Sequence, residues 1–477
     1  MKRRFLLQVL LVGITSLLMR SPLFAEIFTN LHSFTAISNS GPYTNSDGAH
    51  PFAGLILSEN VLYGTTGGGG SAGYGTIFGL NNDGTVFTNL HNFTGGIYGF
   101  NFVSGLVASN NTLFGTTYHD GAYSHGTVIA VNTDGTGFTN LHAFTGGVTG
   151  ESDGSYPRGG LILSGNTLYG TSSDSLPSYG TVFELNTDGS GFTNVYRFSG
   201  GNDGATPTAG LILSSNMLFG TASHGGGSGV GTVFAVNPDG TGFINLHSFT
   251  ALSNGSYGTN TDGGYPFAGL IISSNTLYGA ANSGGTSGQG TLFSIHTDGT
   301  SFTVLHSFDG VSEQGYPSGL VLDGNTLYGT TFGSGANGSW KNGTVFKIKI
   351  DGTGFTTLYT FSAIASTGPY TNSDGANPNG LIRSGNTLYG TTQSGGASGN
   401  GTVFSLFIQP QLTIIPAGPN VVLSWPTNAS GFSLQSTTNL VSPGDWQAVS
   451  PDPVSVNGMN IVTNPISATP QFYRLRK

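Results

Sequence analysis

Cysteine is absent from the 477 residues, which excludes disulfides, iron–sulfur clusters and thiolate zinc sites. Charge is scarce as well: Asp, Glu, Lys and Arg make up only 7% of the chain, with 13 basic against 22 acidic residues and a formal net charge of -9. So acidic a balance offers no basic surface for phosphate, and no nucleic-acid partner is expected. Good helix formers give way to Gly, Thr, Ser and Asn, and Gly alone contributes 80 residues. That composition favours strands and tight turns over helices. Beyond residue 19 no apolar run is long enough to span a bilayer, so no transmembrane segment is expected in the mature chain.

The one long apolar run lies at the start. Lys2, Arg3 and Arg4 precede an apolar stretch over residues 5–19, with small residues near Ala25, the layout of a secretory signal peptide occupying residues 1–25. Arg20 and the bulky Leu23 fit a cleavage region poorly, so an uncleaved anchor is the alternative. Lys2, Arg3, Arg4 and Arg20 would leave with this segment and no acid would, making the mature chain more acidic still. Export is therefore expected, to the medium or the cell surface.

Three blocks recur along the chain. Leu-Tyr-Gly-Thr or a near variant begins at Leu62, Leu113, Leu168, Leu218, Leu277, Leu327 and Leu388. Gly-Thr-Val-Phe or a variant begins at Gly75, Gly126, Gly180, Gly231, Gly290, Gly343 and Gly401. Leu-His-Ser-Phe or a variant begins at Leu31, Leu90, Leu141, Val195, Leu246, Leu305 and Leu358, its first copy ahead of every other block. Within one period the pattern predicts four short strands, a to d, over residues 160–163, 167–171, 181–185 and 192–198 in the third copy. Asp-Gly in turns such as Asn186-Thr187-Asp188-Gly189 predicts a c–d hairpin.

Strand a is apolar on successive residues, as in Leu161-Ile162-Leu163, which suits a sheet covered on both faces. Repeats of this length built from four strands predict an all-β, seven-bladed β-propeller over residues 26–409. An open solenoid is the competing arrangement. Small pairs before the strand a leucine, such as Ala53-Gly54, Gly159-Gly160, Ala209-Gly210 and Ala268-Gly269, are expected to line the central channel. Because the chain begins on a d strand and its last repeat supplies only a, b and c, residues 28–34 are expected to complete the last blade and close the ring. The repeat ends before Pro410. Residues 410–477, with Leu423-Ser424-Trp425-Pro426, Trp446 and a terminal Phe472-Tyr473-Arg474-Leu475-Arg476, predict a small β-sandwich-like module for sorting, anchoring or docking.

The run Gly-Leu-Ile-Leu-Ser-Gly-Asn-Thr-Leu-Tyr-Gly-Thr from Gly160, with Gly-Thr-Val-Phe from Gly180 and Asn-Thr-Asp-Gly-Thr-Gly-Phe-Thr-Asn-Leu-His-Ala-Phe from Asn132, resembles the GloVer tandem repeat. The resemblance covers nearly all of residues 26–409. It implies an exported bacterial repeat protein with a variable C-terminal module, and it implies no activity and supplies no catalytic residue.

Candidate functional groups fall on the d–a and b–c loops, which share one face of a propeller. The d–a loops repeat an acid, three residues and a proline, giving Asp47, Asp153, Asp203, Asp262 and Asp374, with Glu313 as a looser copy. They read either as a carboxylate ring for Ca²⁺ or a cationic ligand, or as turn residues bonding their own loops. Three longer loops carry Tyr43, Tyr257 and Tyr370, residues suited to stacking on glycans or peptides. His32, His91, His142, His247 and His306 recur with Tyr196 and Tyr359 in place of His, and because Tyr cannot replace a catalytic imidazole, packing is their expected role. Unrepeated groups are the better ligand-binding candidates: His119, Asp120 and His125 in one loop, His224 in another, Trp340 and Lys341 in a third.

No catalytic residue stands out, because no acid–base pair and no nucleophile with its base appears in a matching context. The first expectation is a monomeric, non-catalytic exported scaffold that binds an extracellular polysaccharide or protein through its loop face. A secreted hydrolase or lyase acting at the channel mouth, and a structural surface or adhesion protein, are the alternatives.

Overall fold

The computed structural model describes residues 26–38, 40–95, 104–119, 121–147, 152–173, 179–253, 255, 258–334, 342–427, 431–440, 446–456, 459–467 and 469–476. The proposed signal segment lies outside them. Every described element is a strand, and no described helix is long and apolar enough to cross a membrane. The chain divides into a large unit, residues 28–384 with 388–405, and a smaller one that holds residues 406–477.

In the large unit each repeat folds into one antiparallel sheet in the order a-b-c-d. The third repeat pairs Ile162–Ser164, Thr167–Ser172, Thr181–Asn186 and Thr193–Arg197. Strand a is shorter than the sequence predicts, because Gly159 and Gly160 lie outside the ladder, at the channel. In the sixth and seventh repeats it runs for nine residues, Gly315–Asp323 and Ala376–Ser384. There one residue fewer separates the loop proline from Gly-Leu, and the sixth absorbs the change as register shifts around Pro317. The c–d turn follows its Asp-Gly signal: Gly189 sits at φ +83° and its N–H donates to the Asn186 carbonyl at 2.9 Å.

Hydrophobic cores lie between neighbouring sheets. Val182 and Phe198 of the third repeat pack with Leu211, Leu218 and Phe234 of the fourth. The same packing joins the last sheet to the first, where Tyr389, Val403 and Phe34 share a core with Leu55, Leu62 and Phe78. Ile27–Ser33 is the outer strand of the last sheet, in the order Ile27–Ser33, Thr402–Phe407, Thr387–Ser394, Ala376–Ser384. Sheets stacked face to face and closed by the first strand make this unit a β-propeller.

Polar links reinforce the stack. The strand b threonine of one repeat donates its hydroxyl to the carbonyl just before the Gly-Leu of the next: Thr171 to Ala209 at 3.0 Å, Thr221 to Ala268 at 3.3 Å, Thr330 to Asn379 at 2.8 Å. Thr391 does the same to Ala53 at 2.9 Å, spanning the closure. Asn379 Nδ2 adds bonds to the Pro51 carbonyl at 2.7 Å and to the Thr391 hydroxyl at 2.9 Å. Thr391→Val strands both the Ala53 carbonyl and one Asn379 donor in a buried site, so a loss of about 1–3 kcal/mol is expected from the shift in urea midpoint. Ala280, the strand b residue at this position in the fifth repeat, has no hydroxyl, so the belt lacks that bond there.

The smaller unit holds a four-stranded sheet (Thr413–Ala417, Asn420–Pro426, Met459–Pro465, Val454–Val456) and a three-stranded one (Gln447–Ala448, Ser433–Thr437, Phe472–Arg476). Leu423, Trp425, Val462 and Leu434 form its core, and Tyr473 and Leu475 pack on it. Arg474 lies 4.1 Å over the Trp446 ring, a cation–π contact.

Candidate functional site

The segment around the Gly-Leu of each repeat, at or just before strand a, faces an axial cavity of about 830 Å³. All seven repeats reach it, through Ala53-Gly54, Ser104-Gly105, Gly159-Gly160, Ala209-Gly210, Ala268-Gly269, Gly319 and Gly380. The four small pairs expected at the channel are therefore there. Larger side chains occupy its loop-side wall: Phe52, Arg158, Thr208 and Phe267 from one position of the repeat, with Tyr316, Asn282, Phe332 and Gln393.

Local backbone geometry explains why that position points inward. The residue before each loop proline, His50, Tyr156, Thr206, Tyr265, Tyr316 or Asn377, takes φ between 54° and 61°, a conformation unusual for a side chain with a Cβ. Its N–H is tied to the preceding repeat, as in Tyr156 to the His125 carbonyl at 2.7 Å, Thr206 to Tyr179 at 2.7 Å and His50 to Asn400 at 2.8 Å. The proline ring then rests on the first glycine of Gly-Thr-Val-Phe in that repeat. A Cβ on Gly180 would lie 2.4 Å from Pro207 Cδ, and Gly180 itself sits at φ +99°, so only glycine fits. Held this way, the residue after the proline projects into the channel, and its identity is free to vary.

The repeated histidines and acids, separate features of the sequence, form one device. His32, His142 and His247 Nε2 lie 2.9, 3.0 and 3.0 Å from Asp47, Asp153 and Asp262, and His306 lies 2.8 Å from Glu313. Where tyrosine replaces histidine, its hydroxyl donates to the acid: Tyr196 to Asp203 at 3.0 Å and Tyr359 to Asp374 at 2.8 Å. Each ring also stacks on the phenylalanine that opens strand d of the next repeat. His142 lies 3.8 Å from Phe192, Tyr196 4.1 Å from Phe243 and His247 3.7 Å from Phe302. His91, whose d–a loop lacks the acid, keeps the stack, 3.6 Å from Phe138, and burial lowers its pKa.

The five aspartates therefore face strand d, the outermost of each sheet, and none lines the channel. Asp47 accepts from His32, the Thr35 amide and the Thr35 hydroxyl, and Asp262 is held the same way by His247 and Thr250. Such a donor set supplies one carboxylate per loop rather than the six to eight oxygens of a Ca²⁺ site. Among the described residues no group of three or more His, Asp or Glu converges on a metal position.

Burial pushes the carboxyls of Asp47, Asp153 and Asp262 up, but hydrogen bonds from their histidine and threonine partners outweigh it and hold them below the ordinary aspartate value. A carboxyl whose pKa is lower folded than unfolded adds stability that is fully present above the unfolded value near ~4 and fades as pH falls through the folded one. Melting temperature is thus expected to fall below about pH 4, and the triple variant D47N/D153N/D262N to show a shallower acid-side fall. An unchanged acid slope in that variant would contradict the pairing.

Of the unrepeated candidates, His119 and His125 come together around Tyr156, with ring centroids 5.1 and 5.4 Å from it. Tyr118 packs 5.0 Å from Tyr156 and 4.3 Å from His119. The Arg158 guanidinium lies 4.5 Å over the Tyr118 ring and donates to its hydroxyl at 3.0 Å. Burial lowers the His119 pKa, with the nearby Arg158 charge acting in the same direction. His224 bonds Ser223 at 2.9 Å and sits 5.2 Å from Tyr265 and 6.5 Å from Phe267, beside a different stretch of the channel. Tyr43 and Tyr370 are exposed on their loops. Asp120, Tyr257, Trp340 and Lys341 lie outside the described residues. Phe52, Arg158 and Phe267 were not legible as site residues from composition, although the slot just after the proline of each d–a loop marks them.

Strand order, the cores between sheets and the channel define a repeat-built β-propeller. The family model of the Gloeobacter/Verrucomicrobia repeat matches residues 24–176 and 148–340, and the chain belongs to that family. No curated protein matches it. Among solved structures, an oligogalacturonate lyase from Vibrio parahaemolyticus is similar at 8% identity and TM-score 0.48, covering 81% of this chain and 98% of that one. A GH74 xyloglucanase from Xanthomonas campestris is similar at 12% identity and TM-score 0.47, over 84% and 59%. A putative TolB from Agrobacterium tumefaciens is similar at 10% identity and TM-score 0.37, over 68% and 94%.

Proposed function

We propose that the protein is an exported seven-bladed propeller that binds an extracellular polymer, polysaccharide or protein, in its axial channel and on the surrounding d–a and b–c loops, without cleaving it. The observation that carries this reading is the channel wall. A scaffold repeated seven times needs only small residues there, yet in four repeats the slot after the loop proline carries Phe52, Arg158, Thr208 and Phe267, and Asn282 and Gln393 also line the wall. Phe267 is 44% exposed, an aromatic face left open for a ligand to stack on, beside amide groups that can fix its orientation. Residues 1–25 serve export in this reading, and residues 410–477 serve sorting, anchoring or docking.

The test is an array of extracellular polysaccharides and surface proteins probed with the intact chain, paired with product analysis. Saturable binding to one class of polymer with no new chain ends is the expected result. Shortening of a bound polymer would replace this reading with a hydrolase or lyase, and self-assembly without any binding would favour a structural role.

A further inference from the structure

Among the described residues that line the channel, Arg158 is the only charged side chain. The repeat does not explain it. At the same slot the first, fourth and fifth repeats carry Phe52, Thr208 and Phe267, so neither the backbone turn nor the packing of the sheet requires a cation there. Nor does an acid neutralise it: among the described residues its partners are the ring and hydroxyl of Tyr118, and no ion pair includes it. Stacking on one face and a hydrogen bond at one nitrogen hold the guanidinium in place while leaving most of its five N–H groups for another acceptor.

The surrounding charge pattern strengthens the point. On the loop side, four acids are bonded to histidines and two to tyrosines in their own repeats. The carboxylates of the c–d turns, such as Asp134, Asp188 and Asp239, accept from the Thr136, Ser190 and Thr241 hydroxyls at the opposite ends of the strands. Among the described residues an otherwise acidic chain thus presents one cation without an acidic partner in a cavity whose wall also holds the exposed Phe267 ring.

From this we infer that the channel recognises an acidic polysaccharide, with a uronate-type carboxylate on the Arg158 guanidinium and a sugar ring stacked on Phe267. The inference rests on the polymer-binding reading above and sharpens it to one ligand class. Arginine is the residue suited to a planar carboxylate, which it meets with two parallel hydrogen bonds. Apolar sugar faces suit phenylalanine, whereas a run of acidic side chains such as poly-glutamate offers no ring for Phe267 to meet.

Affinity electrophoresis and calorimetry of the intact chain with polygalacturonate, alginate, a neutral galactan and poly-glutamate test this. Polygalacturonate or alginate should bind at least tenfold tighter than the neutral galactan and weaken as salt rises. Arg158→Gln should lose about 10- to 100-fold of that affinity, the worth of a charge-assisted hydrogen-bonded pair, while Arg158→Lys keeps part of it. Since Arg158 is exposed, its variants should melt like the parent, and Phe267→Ala gives a second, independent loss of binding. Equal binding of polygalacturonate by Arg158→Gln, or a preference for the neutral galactan, overturns the inference but leaves polysaccharide binding standing. Arg158-dependent binding of poly-glutamate as tight as that of polygalacturonate overturns it in favour of an acidic protein partner. Binding of none of the four overturns the inference, and binding of no member of the wider array overturns the functional reading with it.

Discussion

Removal of residues 26–34 is expected to abolish the cooperative unfolding transition of the propeller, not merely to trim an edge. Phe28 stacks on Tyr359 at 4.2 Å and on Phe404 at 5.4 Å, and Phe34 is fully buried in the core that joins the last sheet to the first. His32 is bonded to Asp47 at 2.9 Å, and the Asn30 amide donates to the Ser373 carbonyl at 2.9 Å. Burying Phe34 stabilises by roughly 1.5–3 kcal/mol, and the half-buried Phe28 and Leu31 add a part of that each, together a large share of the roughly 5–15 kcal/mol that holds a typical domain together. The deletion also bares the edge of Thr402–Phe407 and invites pairing between chains. Differential scanning calorimetry should show a lost or strongly lowered transition, partly restored by a synthetic peptide of residues 26–36. An unchanged melting temperature would contradict closure by this strand.

The second large effect lies inside each sheet. Gly170 and Phe183 are cross-strand partners in the third repeat, and the Phe183 ring, fully buried, occupies the space a side chain at Gly170 would need. A Cβ on Gly170 would lie 2.5 Å from Phe183 Cζ and 2.8 Å from Leu161 Cδ2. The ring also makes an edge contact with Phe144 at 5.2 Å. Phe183→Ala should therefore cost about 3–5 kcal/mol, and Gly170→Ala about 1–3 kcal/mol through overpacking. In the double variant the new methyl enters the cavity left by the ring, so the two costs should not add, with a coupling of about 1–2 kcal/mol. Chemical denaturation of the four proteins measures this, and strict additivity would show that the ring does not sit over the glycine.

These same residues show why much of the fold was legible. Leu-Tyr-Gly-Thr and Gly-Thr-Val-Phe recur because one glycine lies under a phenylalanine and another under a proline of the next repeat, so the constraint is written into residue type at fixed spacing. The Asp-Gly turns and the d-first phase of the chain were readable for the same reason. Contacts closed by loops of variable length were not. His32 and Asp47 are 15 residues apart, His142 and Asp153 11, His306 and Glu313 seven. No fixed spacing ties each ring to its acid, although both sets were visible. Packing, the role expected of the histidines, is half of what they do; holding the acids is the other half.

The candidate site was legible only in outline. The small residues at the channel were marked by repetition, whereas Phe52, Arg158 and Phe267 carry the functional signal by differing at one slot. A difference gains meaning only once the backbone shows that the slot faces a common space. His119 and His125 stood out as unrepeated, but the Tyr118, Tyr156 and Arg158 side chains around them come from two repeats brought together across a sheet boundary.

Parallel binding curves for the intact chain and the variant F52A/F267A, on whichever polymer the array selects, test most directly whether the channel wall is the recognition surface. If it is, the variant loses at least tenfold in affinity with its melting temperature little changed, and the polymer is recovered at full length from both. Equal affinities for the two proteins, or a polymer shortened by either, would contradict a non-catalytic binding channel.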